Sequence, residues 1–139
     1  MKSNGKVNTG SAALTNGKFG KLKCKYVIHA VGPTVFRNPT KEDIDDLRTA
    51  IEKVFELAEE NKVTSLAIPA VSSGIFGFPK KKCAKIMIAV AVKWIDTKKD
   101  QSCIREVRFT NIDSLTCGIF KQKIEKLMEK EGTLQLIKN

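Results

Sequence analysis

One stretch of the sequence, PAVSSGIFGFPKKKCAK at residues 69–85, combines residue types that suit the binding of an anion. A short apolar run enters it, and the chain is then turned by two serines and two glycines, namely Ser72, Ser73, Gly74 and Gly77. Glycine permits positive φ and lets the backbone approach a ligand closely. Serine hydroxyls can donate to phosphate oxygens, and successive backbone N–H groups in such a turn form an anion nest. A helix that begins near Pro79 would direct its positive end to the same place.

Three lysines follow this loop at the predicted start of a helix, where positive charge is least favourable. Lys80, Lys81 and Lys82 fall in the predicted first turn, where each exposed cation costs roughly 0.3–1 kcal/mol against the helix dipole. A bound diphosphate would reverse that cost, so the loop and the helix start together predict a diphosphate site. The alternative is an ordinary turn followed by solvated lysines, because the stretch matches neither a Walker P-loop nor GxGxxG.

Phe76, between two glycines, could lie over a sugar or base face or could fill the core.

The net charge of +10 and the pI near 9.6 favour polyanionic partners such as nucleic acid, phosphorylated ligands or acidic proteins. The charge is patterned, because residues 1–41 contain eight basic residues and no acid, whereas EDIDDLRTAIEKVFELAEE contains most of the acids. This distribution predicts a basic face. A lysine-rich but otherwise ordinary surface is the alternative. Few aromatic residues accompany these lysines, so no stacking platform for single strands is predicted.

The sequence has four widely spaced cysteines without a CxxC motif, Cys24, Cys83, Cys103 and Cys117. With a single histidine, His29, they predict no zinc site, and neither a metal nor an organic cofactor is expected. We expect reduced, buried thiols in an intracellular protein. The apolar runs are too short to span a bilayer, and MKSNGKVNTG at the beginning holds no secretory signal.

Patterns typical of strands and of helices alternate along the chain, which we interpret as one domain over residues 1–139. Strands are predicted at 26–31, 64–71 and 106–112, and helices at 41–61, from Pro79 onward and at 115–130. Thr40 is the predicted N-cap of the first helix, with Asp43 as its acidic partner. A short hairpin with a turn at Asn16-Gly17 is predicted near the beginning. Buried strands that alternate with amphipathic helices predict an α/β fold with a parallel sheet, whose ligands bind beyond the carboxyl ends of the strands.

Three segments together resemble the macro domain: GKVNTGSAALTNGKFGKLKCKYVIHAVGP, SLAIPAVSSGIFGFPKKKCA and EVRFTNID. The resemblance covers nearly all of residues 5–128 and is greatest to the macro domains of large PARP-type mono-ADP-ribosyltransferases. It implies a three-layer α/β/α sandwich with a mixed, largely parallel sheet, which binds ADP-ribose that is free or attached to proteins. The residues that match the family's second phosphate-binding loop, or lie near the ligand, are Ser72, Ser73, Gly74, Ile75, Phe76, Gly77 and Asn111. His29 matches a position in a buried strand, which implies a structural role.

The sequence also departs from the family, and we expect the chain to be truncated at its N-terminus. The family's first strand with its adenine-binding aspartate, the VNAAN-like strand end and the first glycine-rich loop have no counterpart here. That loop carries the catalytic residues of hydrolytic members, so the resemblance implies no catalytic residue and favours a reader of ADP-ribose in the nucleus or the cytoplasm. The missing strand is central in the family's sheet, and a partner chain could complete it. The alternatives are a truncated, partner-dependent fragment, a general binder of poly(ADP-ribose) or nucleic acid and, least favoured, an ADP-ribosyl hydrolase.

Overall fold

The computed structural model describes residues 8–17, 24–74, 76–111 and 113–131, with the side chains of 128–131 excepted. Strands and helices alternate after an initial pair of strands. The elements are β1 (Ser11–Asn16), β2 (Tyr26–Val31), α1 (Lys41–Glu60), β3 (Ser65–Ile68), α2 (Lys80–Lys98), β4 (Glu106–Phe109) and α3 (Ser114–Glu131). The alternation predicted from the sequence is therefore confirmed, although β3 and β4 are shorter than predicted. None of the helices in the described ranges is long and apolar enough to cross a membrane.

Helix α1 begins where its capping residues predict. The Thr40 hydroxyl accepts a hydrogen bond from the backbone N–H of Asp43 at 3.1 Å, and the Asp43 carboxylate accepts one from the Thr40 N–H at 2.9 Å. This reciprocal capping box satisfies two N–H groups that the helix itself leaves unpaired. Helix α2 begins at Lys80 without a side-chain cap, and Pro79 stands at the N-cap position just outside it. Its first-turn N–H groups thus lack a capping side chain.

The core lies where the apolar faces of α1 and α2 meet each other and the strands. Phe55 of α1 packs against Trp94 of α2 with ring centroids 5.9 Å apart, and Phe109 of β4 packs against Phe120 of α3 at 5.2 Å. The largest fully buried side chains are Phe55, Phe78, Phe120, Leu47, Ile51, Met87, Thr116 and Cys83. Leu47, Ile51 and Phe55 come from the buried face of α1, and Met87 and Cys83 come from that of α2. Burial of such side chains contributes roughly 1.5–3 kcal/mol each.

The initial hairpin is larger than predicted. Strand β1 pairs antiparallel with β2 in a register that places Asn16 opposite Tyr26. The N–H of Gly17 donates to the carbonyl of Lys25 at 2.8 Å, so the ladder continues past Asn16. The two-residue turn predicted at Asn16-Gly17 is therefore wrong. The chain reverses between Gly17 and Lys25, and residues 18–23 of that connection lie outside the described ranges.

The described strands form two ladders instead of one continuous sheet. β1 pairs with β2, β3 pairs in parallel with β4, and within the described ranges no ladder joins β2 to β3. The prediction that the strands are fully buried is wrong, because β2 has no buried residue and β3 exposes Ser65 and Ala67. Among the described residues, each strand has a neighbouring strand on one edge only, which leaves backbone groups of the other edge unpaired.

Two predictions about burial also need correction. His29 is exposed, although its ring nitrogen Nε2 lies 2.9 Å from the Thr15 hydroxyl, so its hydrogen bond is made on the surface of the hairpin. All four cysteines are free thiols, but only Cys83 is buried. Cys103 is partly buried, and Cys24 and Cys117 are exposed. Burial raises the pKa of the Cys83 thiol to about 12, so it remains protonated and packs as a small apolar group.

Candidate anion-binding site

The loop that joins β3 to α2 is held in place by backbone hydrogen bonds. We call residues 72–77 the serine–glycine loop. The N–H of Phe78 donates to the carbonyl of Ser72 at 2.8 Å, which closes the loop, and the N–H of Gly77 donates to Gly74 at 3.0 Å. The N–H of Val35, in the segment after β2, donates to the carbonyl of Phe76 at 2.7 Å. The loop is therefore closed on itself and is also bonded to the segment that follows β2.

The two glycines of the loop have different physical roles. Gly77 has φ +80°, and a Cβ atom there would overlap the carbonyl oxygen of Val35. Only glycine fits this position without strain, because a side chain disfavours positive φ. At Gly74 a Cβ would meet no atom within 4 Å. Gly74 thus leaves open space over the backbone, which is the arrangement that a ligand approaching the main chain requires.

Several backbone N–H groups of the loop have no hydrogen-bond partner in the part of the chain that the structure describes. Ser73, Gly77 and Phe78 donate to carbonyls of the loop and its entrance. Among the described residues, the N–H groups of Ser72, Gly74 and Phe76 form no backbone hydrogen bond. Helix α2 begins three residues after Gly77, and its first-turn N–H groups have no partner within the helix. Ile75, which was also predicted to bind, lies outside the described ranges. Unpaired N–H groups that alternate along a turn next to a helix start favour an anion.

The two serines differ in what their hydroxyl groups can do. Ser73 is buried, and its hydroxyl donates to the carbonyl of Ala70 at 3.0 Å, so in this conformation it shapes the loop. The Ser72 hydroxyl oxygen is buried and has no partner among the described residues. Ser72 also has φ +65°, which is unusual for a residue other than glycine. A buried hydroxyl without a partner and a strained backbone at the same residue single out Ser72.

Asn111 ties the end of β4 to the entrance of the loop. Its amide oxygen accepts a hydrogen bond from the N–H of Ala70 at 2.9 Å. Its amide nitrogen is buried and has no partner among the described residues. The structure thus brings Asn111 close to the loop, as the resemblance implied. One half of its amide is used in positioning Ala70, and the other half remains able to donate.

The lysines after the loop divide into one that contacts it and two that do not. The Lys80 ammonium donates to the carbonyl of Ser73 at 3.1 Å, whereas Lys81 and Lys82 are exposed and form no ion pair within the described ranges. Asp113 is the nearby acid, and its pKa is lowered first by the Thr116 hydroxyl and N–H, then also by the charge of Lys80. Asp113 accepts from both Thr116 groups, at 2.7 and 2.9 Å, and so caps α3. The positive charge of the helix start is therefore only partly offset.

Phe76 and Phe78 take the two roles that the sequence left open for an aromatic residue here. Phe78 is 1% exposed and fills the core, whereas Phe76 is 43% exposed. Phe76 is therefore not a core residue, and its ring is accessible to solvent at the loop. It can pack against the face of a ligand.

Two positions outside the loop were not predicted to matter, although both support it. A Cβ atom at Gly32, directly after β2, would overlap the Ser72 hydroxyl, so glycine is what allows the segments after β2 and β3 to meet. The Cys83 thiol donates to the carbonyl of Val71 at 3.2 Å and so connects α2 to the loop entrance. The sequence indicates only that a strand ends at Gly32. The contact with Ser72 could not be predicted, because the two residues are 40 positions apart in the chain.

Comparison with known proteins identifies the class to which this fold and loop belong. The chain is a member of the macro domain family, whose model matches residues 1–87. Human protein mono-ADP-ribosyltransferase PARP14 is 33% identical over 129 residues, which are 93% of this chain and 7% of that protein. The macro domain-containing protein lmo2759 of Listeria monocytogenes is 33% identical over 86% of this chain and 66% of its own length. Mouse ADP-ribose glycohydrolase MACROD1 is 32% identical over 84% of this chain and 32% of its own length.

Solved structures share the fold. The macrodomain of Trypanosoma brucei, crystallised in complex with ADP-ribose, superposes with a TM-score of 0.73 at 24% identity, over 84% of this chain and 46% of that chain. The predicted macro-domain-like α/β fold is therefore confirmed. The chain spans less than half of that structure and between 7% and 66% of the three relatives.

Proposed function

We propose that this protein binds ADP-ribose, free or attached to other proteins, at the serine–glycine loop and the start of α2. The observation that carries the proposal is the set of backbone N–H groups at Ser72, Gly74 and Phe76, which have no partner among the described residues and lie directly before a helix N-terminus. Such groups can hold the diphosphate without side-chain charge. The likeness to a macrodomain crystallised with ADP-ribose supports this choice of ligand.

In this proposal the loop residues have separate tasks. The open space over Gly74 admits the diphosphate, and the exposed ring of Phe76 packs by the distal ribose. Ser72 donates through its backbone N–H, and Asn111 positions the loop entrance through its hydrogen bond with Ala70. Ser73 and Gly77 keep the loop in shape, since both are bonded within it. Ile75 completes the predicted set. Lys81 and Lys82 contribute positive potential rather than contacts.

A binding role is favoured over hydrolysis of ADP-ribosylated protein, although the relative MACROD1 is an ADP-ribose glycohydrolase. A hydrolase needs a group that activates water, and among the described residues Asp113 is a carboxylate that lies near Lys80. Asp113 is used to cap α3, and its lowered pKa makes it a weak base. We therefore expect the chain to bind mono-ADP-ribosylated protein without releasing the label. Release of label by the purified chain would favour the hydrolase.

General binding of poly(ADP-ribose) or nucleic acid remains the second candidate because the net charge is +10. It predicts affinity that falls steeply with salt and does not depend on the chemical identity of the anion. Binding at the loop predicts a much weaker dependence on salt. We further propose an intracellular location, in the nucleus or the cytoplasm, where the exposed thiols Cys24 and Cys117 would remain reduced.

The proposed site can be tested residue by residue in an ¹⁵N-labelled sample. On addition of ADP-ribose, we expect large shifts of the amide signals of Ser72, Gly74 and Phe76, because their N–H groups gain acceptors. The amides of Ser65 and Gly118 serve as controls outside the loop. Saturable binding that shifts other amides and leaves these three unchanged would contradict the site.

A further inference from the structure

The segment that joins β2 to α1, residues 32–40, lies against the serine–glycine loop, and we call it the β2–α1 segment. The N–H of Val35 donates to the carbonyl of Phe76 at 2.7 Å. A Cβ atom at Gly77 would overlap the Val35 carbonyl oxygen, so both backbone polar groups of Val35 touch the loop. Thr40 ends the segment in the capping box of α1. The segment is therefore fixed at its contact with the loop and at its end.

Phe36 follows this contact directly, and its side chain lies in solvent. Val35 is 6% exposed, whereas Phe36 is 94% exposed, more than any other large apolar side chain in the described part of the chain. Isolated apolar side chains are common on protein surfaces and need no function. Phe36, however, is one residue from the hydrogen bond to Phe76, whose own ring is exposed at the loop. Two accessible aromatic rings thus adjoin the proposed ligand site.

The chemistry of protein-attached ADP-ribose determines where the modified polypeptide lies. ADP-ribose is joined to proteins through the anomeric carbon of its distal ribose, and in the proposed function that ribose packs by Phe76. The polypeptide must therefore leave the site beside Phe76, where the β2–α1 segment is bonded to the loop. The covalent link thus brings the polypeptide to the surroundings of Phe36, whichever protein has been modified.

We propose that Phe36 contacts the polypeptide that carries ADP-ribose and makes the site prefer modified residues with apolar neighbours. The inference rests on the proposed function. Contact with an apolar side chain removes part of an almost fully exposed ring from water, which is favourable. Because the β2–α1 segment is already fixed, little conformational entropy is lost when the contact forms. ADP-ribose attached to such a polypeptide therefore binds more tightly than free ADP-ribose.

Phe36 can be changed without disturbing the loop, because the backbone of Val35 makes the contact and the Phe36 side chain is exposed. Phe36→Ser removes the apolar surface, and Phe36→Leu keeps it. The control is Ile95→Ala, since Ile95 is an exposed apolar residue of α2 that lies about 22 Å along the helix from Lys80. The Tm of Phe36→Ser is expected to stay within about 2 °C of the wild-type value.

The experiment compares free ADP-ribose with two synthetic peptides that carry one ADP-ribose through a hydrolysis-resistant linkage. Leucines flank the modified residue in one peptide, and glycines flank it in the other. Calorimetric titration of the full chain is expected to show about three- to tenfold tighter binding of the leucine peptide than of the glycine peptide or of free ADP-ribose. The leucine peptide without ADP-ribose should not bind measurably.

Phe36→Ser is expected to abolish the preference for the leucine peptide, whereas Phe36→Leu and Ile95→Ala should retain it. All three variants should bind free ADP-ribose within about twofold of the wild-type affinity. Equal affinity of the wild-type chain for the two peptides, or a preference that persists in Phe36→Ser, would overturn the proposal. So would an equal loss of affinity for free ADP-ribose and for both peptides, because Phe36 would then act on the ligand site itself.

Failure of the proposed function would give a different result. Neither free ADP-ribose nor either modified peptide would then bind the folded chain, and the inference about Phe36 would fall with the proposed function. Binding of free ADP-ribose with no effect of the flanking residues would overturn the inference alone.

Amide signals of the ¹⁵N-labelled chain locate the contact without any substitution. The leucine peptide is expected to shift the signals of Phe36 and Arg37 much more than free ADP-ribose does. The signals of Ser72 and Gly74 should shift with both ligands, because both ligands carry the diphosphate. Binding of the leucine peptide without the additional shift of Phe36 and Arg37 would place its polypeptide elsewhere and overturn the proposal.

Discussion

At the scale of single residues, Gly74 and Gly77 separate the binding of a ligand from the shape of the loop. Gly77 has positive φ beside the Val35 carbonyl, and Gly74 faces open space. Gly77→Ala is expected to destabilise the fold by at least about 2 kcal/mol. Gly74→Ala is expected to leave the free energy of unfolding nearly unchanged but to weaken ADP-ribose binding about tenfold, because its methyl group occupies the space of the diphosphate.

Chemical denaturation and calorimetric titration of both glycine variants test this division. If Gly74→Ala loses stability but binds normally, the open space at Gly74 is not where the ligand lies.

The charge of the helix start can be tested with a matched pair of lysines. Lys81 lies in the first turn of α2, whereas Lys93, which is also exposed, lies twelve residues further along the same helix. That separation is about 18 Å, beyond two Debye lengths at physiological salt. Lys81→Glu is expected to lower ADP-ribose affinity about three- to tenfold, and Lys93→Glu to leave it unchanged. Equal losses in the two variants would indicate that only the overall charge of the protein matters.

At the scale of elements, Glu59 joins the end of α1 to α2 and to the turn before β4. Its carboxylate accepts hydrogen bonds from the Ser102 hydroxyl, from Trp94 Nε1 at 3.4 Å and from the Cys103 N–H at 3.3 Å. Partial burial raises the pKa of Glu59, but these hydrogen bonds outweigh it and the pKa lies below the usual 4.5. The stabilisation is therefore complete above about pH 4.5 and is lost as the pH falls through the lowered pKa.

Glu59→Gln is accordingly expected to cost about 1–2 kcal/mol at pH 7 and progressively less below pH 4.5, where the wild-type carboxylate is protonated as well. Urea denaturation at pH 7 and at pH 3 measures this difference. The neighbouring exposed Glu60→Gln serves as the control and should change stability by less than about 0.5 kcal/mol. A loss for Glu59→Gln that does not depend on pH would contradict the role of the charge.

Helix α3 contains a glycine that its structure does not require. Gly118 is exposed inside the helix, and a Cβ atom there would meet nothing within 4 Å. Gly118→Ala is therefore expected to stabilise the protein by about 0.5–1 kcal/mol, since alanine loses less entropy in a helix. Thermal unfolding should shift upward by about 2–5 °C. A lower Tm would mean that α3 does not form the regular helix described here.

At the scale of the whole molecule, the sequence predicted the local features well. The positions of the helices follow from the spacing of apolar residues over a few neighbouring turns. The Thr40–Asp43 capping box depends on two residues that are three positions apart. The serine–glycine loop was recognised because its residue types and the following helix start are adjacent in the chain. Local signals of this kind do not depend on how distant segments pair.

The features that the sequence did not predict arise from contacts between distant residues. The pairing of Asn16 with Tyr26 and the contact of Gly32 with Ser72 join separate segments. The apolar composition of the strands predicted that they are fully buried. Ser65 and Ala67 of β3 are exposed, and their exposure depends on which strands lie beside β3. The absence of a ladder between β2 and β3 in the described part of the chain could be expected only from the resemblance to the macro domain.

The most direct test of the central claim is a calorimetric titration of ADP-ribose into the purified chain at physiological salt, with AMP as the control ligand. Circular dichroism first establishes that the sample is folded. Binding at the serine–glycine loop predicts a micromolar dissociation constant for ADP-ribose and much weaker binding of AMP, which lacks the diphosphate and the distal ribose. Absence of heat from the folded chain, or equal affinity for AMP, would contradict a diphosphate site at this loop.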